Sequence, residues 1–159
     1  MTEFTRYEIY MLLNQPKPLW LSYIDLEGVD LRGVDLRKAT LYHANLKEVD
    51  FRGAQLSEAN FGGCDLSNAN LVGAILKRTN LRGAILIGCD LREADLSEAD
   101  MSEANLTNAN LIDANLGGVD LSNANLTGAD LSGSNAPDHL ILRAKSLSGA
   151  IMPDGREQQ

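Results

Sequence analysis

Two histidines, two cysteines and 22 carboxylates are the side chains of this 159-residue chain that could support acid–base, nucleophilic or metal chemistry. Their spacing argues against each use. His43 and His139 lie far apart in the chain, with no nucleophile or orienting acid arranged around either as a triad requires. Cys64 and Cys89 stand 25 residues apart, outside any Cys-x-x-Cys or Cys/His run, so neither a redox pair nor a metal-ligand spacing is present. The aspartates are numerous, but most recur at one fixed position of a short repeat, which makes them a demand of the backbone rather than a catalytic pair. The glycines recur in the same manner and do not form a phosphate loop opening a helix. These observations point to a protein without an enzymatic task and without cofactor or metal.

The repeat that positions these residues has a period of five. From Leu26 to Leu131 there are 22 consecutive pentads, 19 centred on Leu and the others on Phe51, Phe61 and Met101. Five matches neither the 3.6 of a helix nor the 2 of a strand, so it describes a unit that turns as it advances. With the centre called i, position i−2 is Ala in 14 pentads, i−1 is Asp or Asn in 18, and i+2 is Gly in ten and Asn in three. Two inward positions separated by one outward residue read as a very short extended segment. Asx and Gly are the residues that turn a corner.

Pentads such as Ala-Asn-Leu-Thr-Asn and Ala-Asp-Leu-Ser-Glu resemble those of the pentapeptide-repeat family over residues 19–135. The resemblance implies an all-β fold, a right-handed quadrilateral β-helix with four pentads per coil and positions i and i−2 inward. Residue n then stacks on n+20. One face stacks Leu26, Leu46, Leu66, Leu86, Leu106 and Leu126, and the second begins Leu31, Phe51, Leu71. The third begins Leu36, Leu56, Leu76, and the fourth Leu41, Phe61, Leu81. About 5.5 coils at roughly 4.8 Å each make a rod roughly 26 Å long. Ser148 to Gly155, near the end of the chain, also resemble the tails of cyanobacterial members.

Solenoid ends need caps. The chain divides into an N-terminal helical cap (1–18), the β-helix (19–135), and a C-terminal loop, partial coil and tail (136–159). A short capping helix over residues 3–14 is expected to turn Phe4, Tyr7, Met11 and Tyr10 toward the core, with Pro16 and Pro18 ending it. After Ala136-Pro137 the rhythm resumes at Leu142, Leu147 and Met152, one residue out of phase, which predicts a bulge or short loop. Arg156 to Gln159 are polar and are expected to be disordered. Cys64 and Cys89 both occupy i−2, so buried structural thiols are expected. The chain shows no signal peptide and no long apolar run, which predicts a cytoplasmic, monomeric protein with no membrane contact.

The net charge of −8 is unevenly distributed. Residues 19–92 hold nine acids and nine bases, whereas residues 93–142 hold nine acids and neither Lys nor Arg. The densest cluster is Glu93, Asp95, Glu98, Asp100 and Glu103, and it forms a candidate acidic surface. Some members of the family it resembles imitate DNA and act on gyrase. Residues 93–131 carry eight acids, where about six would match duplex charge over roughly 10 Å. The neutral half fails that comparison, so DNA mimicry is the alternative reading. The first is an interaction scaffold for an unidentified protein partner, without direct nucleic-acid binding. Its candidate contact residues are the outward aliphatics that break the polar rule: Val72, Ile75, Ile85, Ile87 and Ile112.

Overall fold

The computed structural model describes residues 6–158. Along the repeat, the i−1 residue forms a parallel bridge to the residue 20 positions later, from Trp20–Thr40 to Asn110–Asp130. A step of 20 is four pentads, so each coil has four sides. The bridges are one residue long because i−2, i−1 and i are the only extended residues between corners. Their pairing is nevertheless complete. Leu46 N–H donates to the Asp65 carbonyl at 2.7 Å, Asp65 N–H donates back to Ala44 at 3.1 Å, and Glu48 N–H reaches Ser67 at 3.0 Å. Each corner is a turn closed by a bond such as Ala44 N–H to the Leu41 carbonyl at 2.9 Å. Its third residue carries positive φ, 55° at His43 and 63° at Gly63, as a type II turn requires.

The interior is the stacked leucine ladder. Every central residue from Leu26 to Leu131 is buried, with the small i−2 side chains beside them. Ile24, Val29 and Val34 are only half-buried, because no coil precedes theirs. Phe51 and Phe61 come from opposite faces and meet edge-to-face across the tube, centroids 6.1 Å apart. Three interior polar groups each donate to a carbonyl 23 residues back: Cys64 Sγ to Leu41 at 2.7 Å, Thr79 Oγ1 to Leu56 at 3.1 Å, and Cys89 Sγ to Leu66 at 2.7 Å. The two cysteines are free, and burial pushes both thiols up to about 12.

The ends depart from the expected arrangement in three places. Helix α1 (Arg6–Leu13) packs Ile9, Leu12 and Leu13 against the core. Tyr7, Tyr10 and Met11 face outward instead, at 70%, 63% and 44% exposure, and Phe4 lies outside the described residues. The i, i+3, i+4 spacing of the three aliphatics makes a continuous stripe that buries no hydroxyl. At the other end, helix α2 (Asp138–Ile141) absorbs the phase change, and the register becomes n+21 at Asn125–Ser146 and Asp130–Ile151. Ile141, the last residue of α2, fills the interior while Leu142 is 65% exposed, so the rhythm resumes inside at Leu147 and Met152 but not at Leu142. Arg156 to Gln158 are paired rather than disordered, and Gln159 lies outside the described residues. Gly149 N–H donates to Gln158 and Gln158 N–H to Ala150, both at 2.8 Å, and Ile151 bridges Glu157 antiparallel. This return strand occupies backbone groups of the last coil that would otherwise form an open edge.

Candidate interaction surface

What the rod offers a partner is decided at i−1, i+1 and i+2. In the first half an Asp at i−1 is clasped by the Arg two residues later: Arg32–Asp30, Arg52–Asp50 and Arg92–Asp90, each at 2.6 Å, and Arg37–Asp35 at 2.9 Å. The arginine side-chain bond holds each of these carboxyls below its ordinary range. Beyond residue 93 the same slot carries Ser or Thr in six of eight pentads, the others holding Ile112 and Gly117. The hydroxyl donates to the Asx oxygen in Ser102–Asp100 and Thr107–Asn105 at 2.6 Å and in Ser122–Asp120 at 2.5 Å. Both arrangements complete the corner; only arginine cancels the charge.

The sequence-derived acidic cluster is arranged around the rod rather than along it. Glu93 belongs to the second face, Asp95 and Glu98 to the third, and Asp100 and Glu103 to the fourth. Glu98 pairs with Arg78 at 2.8 Å and Lys77 at 3.5 Å, and Glu103 pairs with Arg82 at 2.6 Å. Asp95 accepts from Ser97 N–H at 3.0 Å and Asn115 Nδ2 at 2.9 Å, and Asp100 accepts from Ser102. Cations from the preceding coil thus neutralise two of the five acids.

The outward aliphatics likewise occupy three faces. Val72 and Ile112 lie half-buried on the second face on either side of Arg92, and Ile75 is half-buried on the third. Ile85 and Ile87 alone come together, each 37% exposed, flanking buried Leu86 on the first face. Onward from Ile85 this face and its following corner carry Asn105, Thr107, Asn108, Asn125, Thr127 and Gly128, with no charge. The acids of the second half lie on the other three faces.

The sequence reading missed an aromatic corner on the first two coils, although Trp20 already sat in repeat register at an outward position. Trp20 is 78% exposed at the centre of the fourth face; Tyr23 and Tyr42, 73% and 41% exposed, lie at the corner that follows. A cleft of about 370 Å³ lies between Lys17, Asp35, Arg37, Lys38, Ser57 and Glu58. Its charges satisfy one another through Lys17–Asp35 at 2.8 Å, Arg37–Asp35 at 2.9 Å and Lys38–Glu58 at 3.6 Å. Among the described residues no His, Cys, Asp and Glu group is placed to hold a metal ion, and no helix is long and apolar enough to cross a membrane.

The family model described as pentapeptide repeats matches residues 21–53, 54–92, 74–111 and 104–136, in 8 copies. The chain belongs to the pentapeptide-repeat family. It is 31% identical to HetL, a pentapeptide repeat protein involved in heterocyst differentiation regulation from the cyanobacterium Nostoc sp. strain PCC 7120, over 89% of this chain and 78% of that one, with a TM-score of 0.46. To alr5209, a pentapeptide repeat protein of Nostoc PCC 7120, it is 38% identical over 69% of this chain and 82% of that one, with a TM-score of 0.46. Full-length QnrB1, a plasmid-mediated fluoroquinolone resistance protein, shares 20% identity over 86% of this chain and 81% of that one at a TM-score of 0.50, a likeness of fold alone. No curated protein sequence matches the chain. On this pentapeptide-repeat protein the aromatic corner, the isoleucine pair and the acidic half all stand at the outward positions i−1, i+1 and i+2 of the repeat.

Proposed function

We propose that this pentapeptide-repeat protein is a non-enzymatic interaction module, a right-handed quadrilateral β-helix that binds another protein through its first face. The observation that carries this reading is Ile85 and Ile87, both outward on either side of Leu86, at the start of a strip of Asn, Thr, Ser and Gly. An uncharged strip loses little solvation on docking, and the aliphatic pair supplies the apolar centre that interfaces use. The neighbouring acids confine a partner to that face. Affinity capture from the native host, comparing the wild type with an Ile85→Asp/Ile87→Asp double variant of unchanged melting temperature, tests it. A partner retained equally by both proteins would remove the first face from the interaction.

DNA mimicry aimed at gyrase is the second reading, supported by the eight acids of residues 93–131. The ion pairs of Glu98 and Glu103 weaken it, because they remove charge where the cluster is densest. If it holds, the protein alters gyrase supercoiling at micromolar concentration, and Glu98→Lys/Asp100→Lys abolishes the effect. Supercoiling unchanged at every concentration tested rules mimicry out.

A further inference from the structure

Each of the four tyrosines and the single tryptophan of this chain lies between residues 7 and 42, and every one is exposed. Three of them, Trp20, Tyr23 and Tyr42, share the fourth face and the corner beside it. The two tyrosines are prearranged by His43. Tyr23 lies against the ring of His43, centroids 5.8 Å apart and planes 19° from parallel, and meets Tyr42 edge-on at 6.2 Å. Tyr42 and His43 are themselves edge-on at 4.2 Å. Space for these rings comes from the next coil. A Cβ on Gly63 would stand 2.5 Å from the His43 ring, and one on Gly62 would stand 3.2 Å from Tyr42. Tyr23 also holds φ at 61°, which a bulky residue rarely adopts.

The charges next to these rings are as selective as the rings. Asp25 and Glu27 follow Tyr23 across the corner onto the adjacent face, and two residues of chain hold the Cα atoms of Tyr23 and Asp25 within about 7 Å of each other. Both carboxylates converge on one neutral donor, Asn45 Nδ2, at 2.9 Å and 3.0 Å. Neither has a cationic partner among the described residues, although most carboxylates of this half of the rod have one. Aromatic faces beside unneutralised carboxylates complement a planar cation, which stacks on one and forks onto the other. The same carboxylates repel phosphate, which opposes a nucleic-acid occupant.

We propose that the aromatic corner formed by Trp20, Tyr23 and Tyr42, together with Asp25 and Glu27, docks an arginine-bearing segment of a protein partner. The guanidinium stacks on the exposed rings and pairs with the two carboxylates. Because His43 already packs against both tyrosine rings, little of their side-chain freedom remains to be lost on binding. The site is separate from the isoleucine pair, which lies three coils further along the rod.

Trp20 is the only tryptophan and stands inside the site, so its emission reports occupancy directly. Titration of the full chain at low salt with the peptide Gly-Arg-Gly-Arg-Gly is expected to change that emission saturably, with calorimetry giving the same dissociation constant. The citrulline counterpart, which keeps the shape and lacks the charge, should bind at least about tenfold more weakly, and the lysine counterpart about threefold. Asp25→Asn/Glu27→Gln should weaken the arginine peptide about tenfold, and Tyr23→Ala about threefold, at unchanged melting temperature. Ser97→Ala, on another face, should bind like the wild type. Equal binding of the arginine and citrulline peptides would overturn the proposal. So would no binding up to millimolar peptide, an undiminished affinity in the Asp25→Asn/Glu27→Gln variant, or saturation by a neutral oligosaccharide such as cellohexaose instead of the arginine peptide.

Discussion

The two halves of the rod share one backbone and one interior yet present different surfaces. At i−1 the Asp of either half accepts the amide of the residue two positions on: Arg52 to Asp50 at 3.2 Å in the first half, Ser132 to Asp130 at 2.9 Å in the second. The corner is therefore indifferent to what stands at i+1, provided that its N–H is available. Arg there yields a neutral surface, and Ser or Thr yields an acidic one of the same shape. The acidity of the second half thus arises less from extra carboxylates than from the loss of their arginines. A solenoid whose folding depends on i and i−2 leaves i+1 and i+2 free to carry function.

The largest expected effect tests the shared interior. Leu46→Ala and Leu106→Ala occupy the same column, one in each half, and both are fully buried. Each should cost about 2 to 5 kcal/mol by thermal or urea denaturation, whereas Ser97→Ala should change stability by less than about 0.5 kcal/mol. A marked difference between the two leucines would show that the halves are not energetically equivalent inside.

Next come the corners. Gly63 lies under the His43 ring in the first half, and Gly128 lies under Asn108 in the second, with φ of 63° and 67°. Alanine at either position is strained by positive φ and by the side chain above it, at a cost of about 1 to 2 kcal/mol. Gly63→Ala should in addition displace His43 and shift the aromatic proton resonances of Tyr23 and Tyr42. Unchanged tyrosine resonances would disconnect Gly63 from the aromatic corner.

Cross-coil charge gives a smaller signal. Lys38–Glu58 at 3.6 Å and Arg78–Glu98 at 2.8 Å belong to one outward column of alternating sign. Glu58→Lys puts three cations in that column, whereas the column neighbours of Glu48 are Gly28 and Asn68. Glu58→Lys should therefore lower stability a few tenths of a kcal/mol more than Glu48→Lys at low salt, and added salt should erase the difference. Equal melting temperatures for the two variants at low salt would contradict the column.

Smallest of all is the effect of the arginine clasps. The side-chain bond from arginine lowers the carboxyls of Asp50 and Asp90 in the folded state. A depressed folded value stabilises the native state above the unfolded pKa, near 3.9, and the contribution is lost as pH falls through the folded value. Arg52→Ser/Arg92→Ser should melt slightly below the wild type at pH 7, and the gap should narrow as pH falls below the unfolded carboxyl value of about 3.9. A gap that widens in acid would reverse the assigned sign.

Much of this molecule is determined by its sequence alone. A five-residue period with Leu at i, a small residue at i−2 and Asx at i−1 leaves one arrangement of inside, outside and corner, because each preference acts within a single turn of chain. The phase change before Leu147 is legible for the same reason. What the tertiary structure decided lies between coils and at the ends. Asp25 and Glu27 converge on Asn45, a partner that the next coil supplies and the local repeat does not. The outward aliphatics form one list in sequence, but coiling distributes them over three faces and leaves only Ile85 and Ile87 together. Helix α1 presents an aromatic side and an aliphatic side, either of which can cover an open coil; the uncovered first-coil residues Ile24, Val29 and Val34 favour the aliphatic one. The polar tail becomes a strand because the last coil exposes unpaired backbone groups for it to occupy. A local pattern specifies the repeated unit, whereas neighbours 20 residues apart, and edges with no neighbour at all, exist only once the chain has closed its coils.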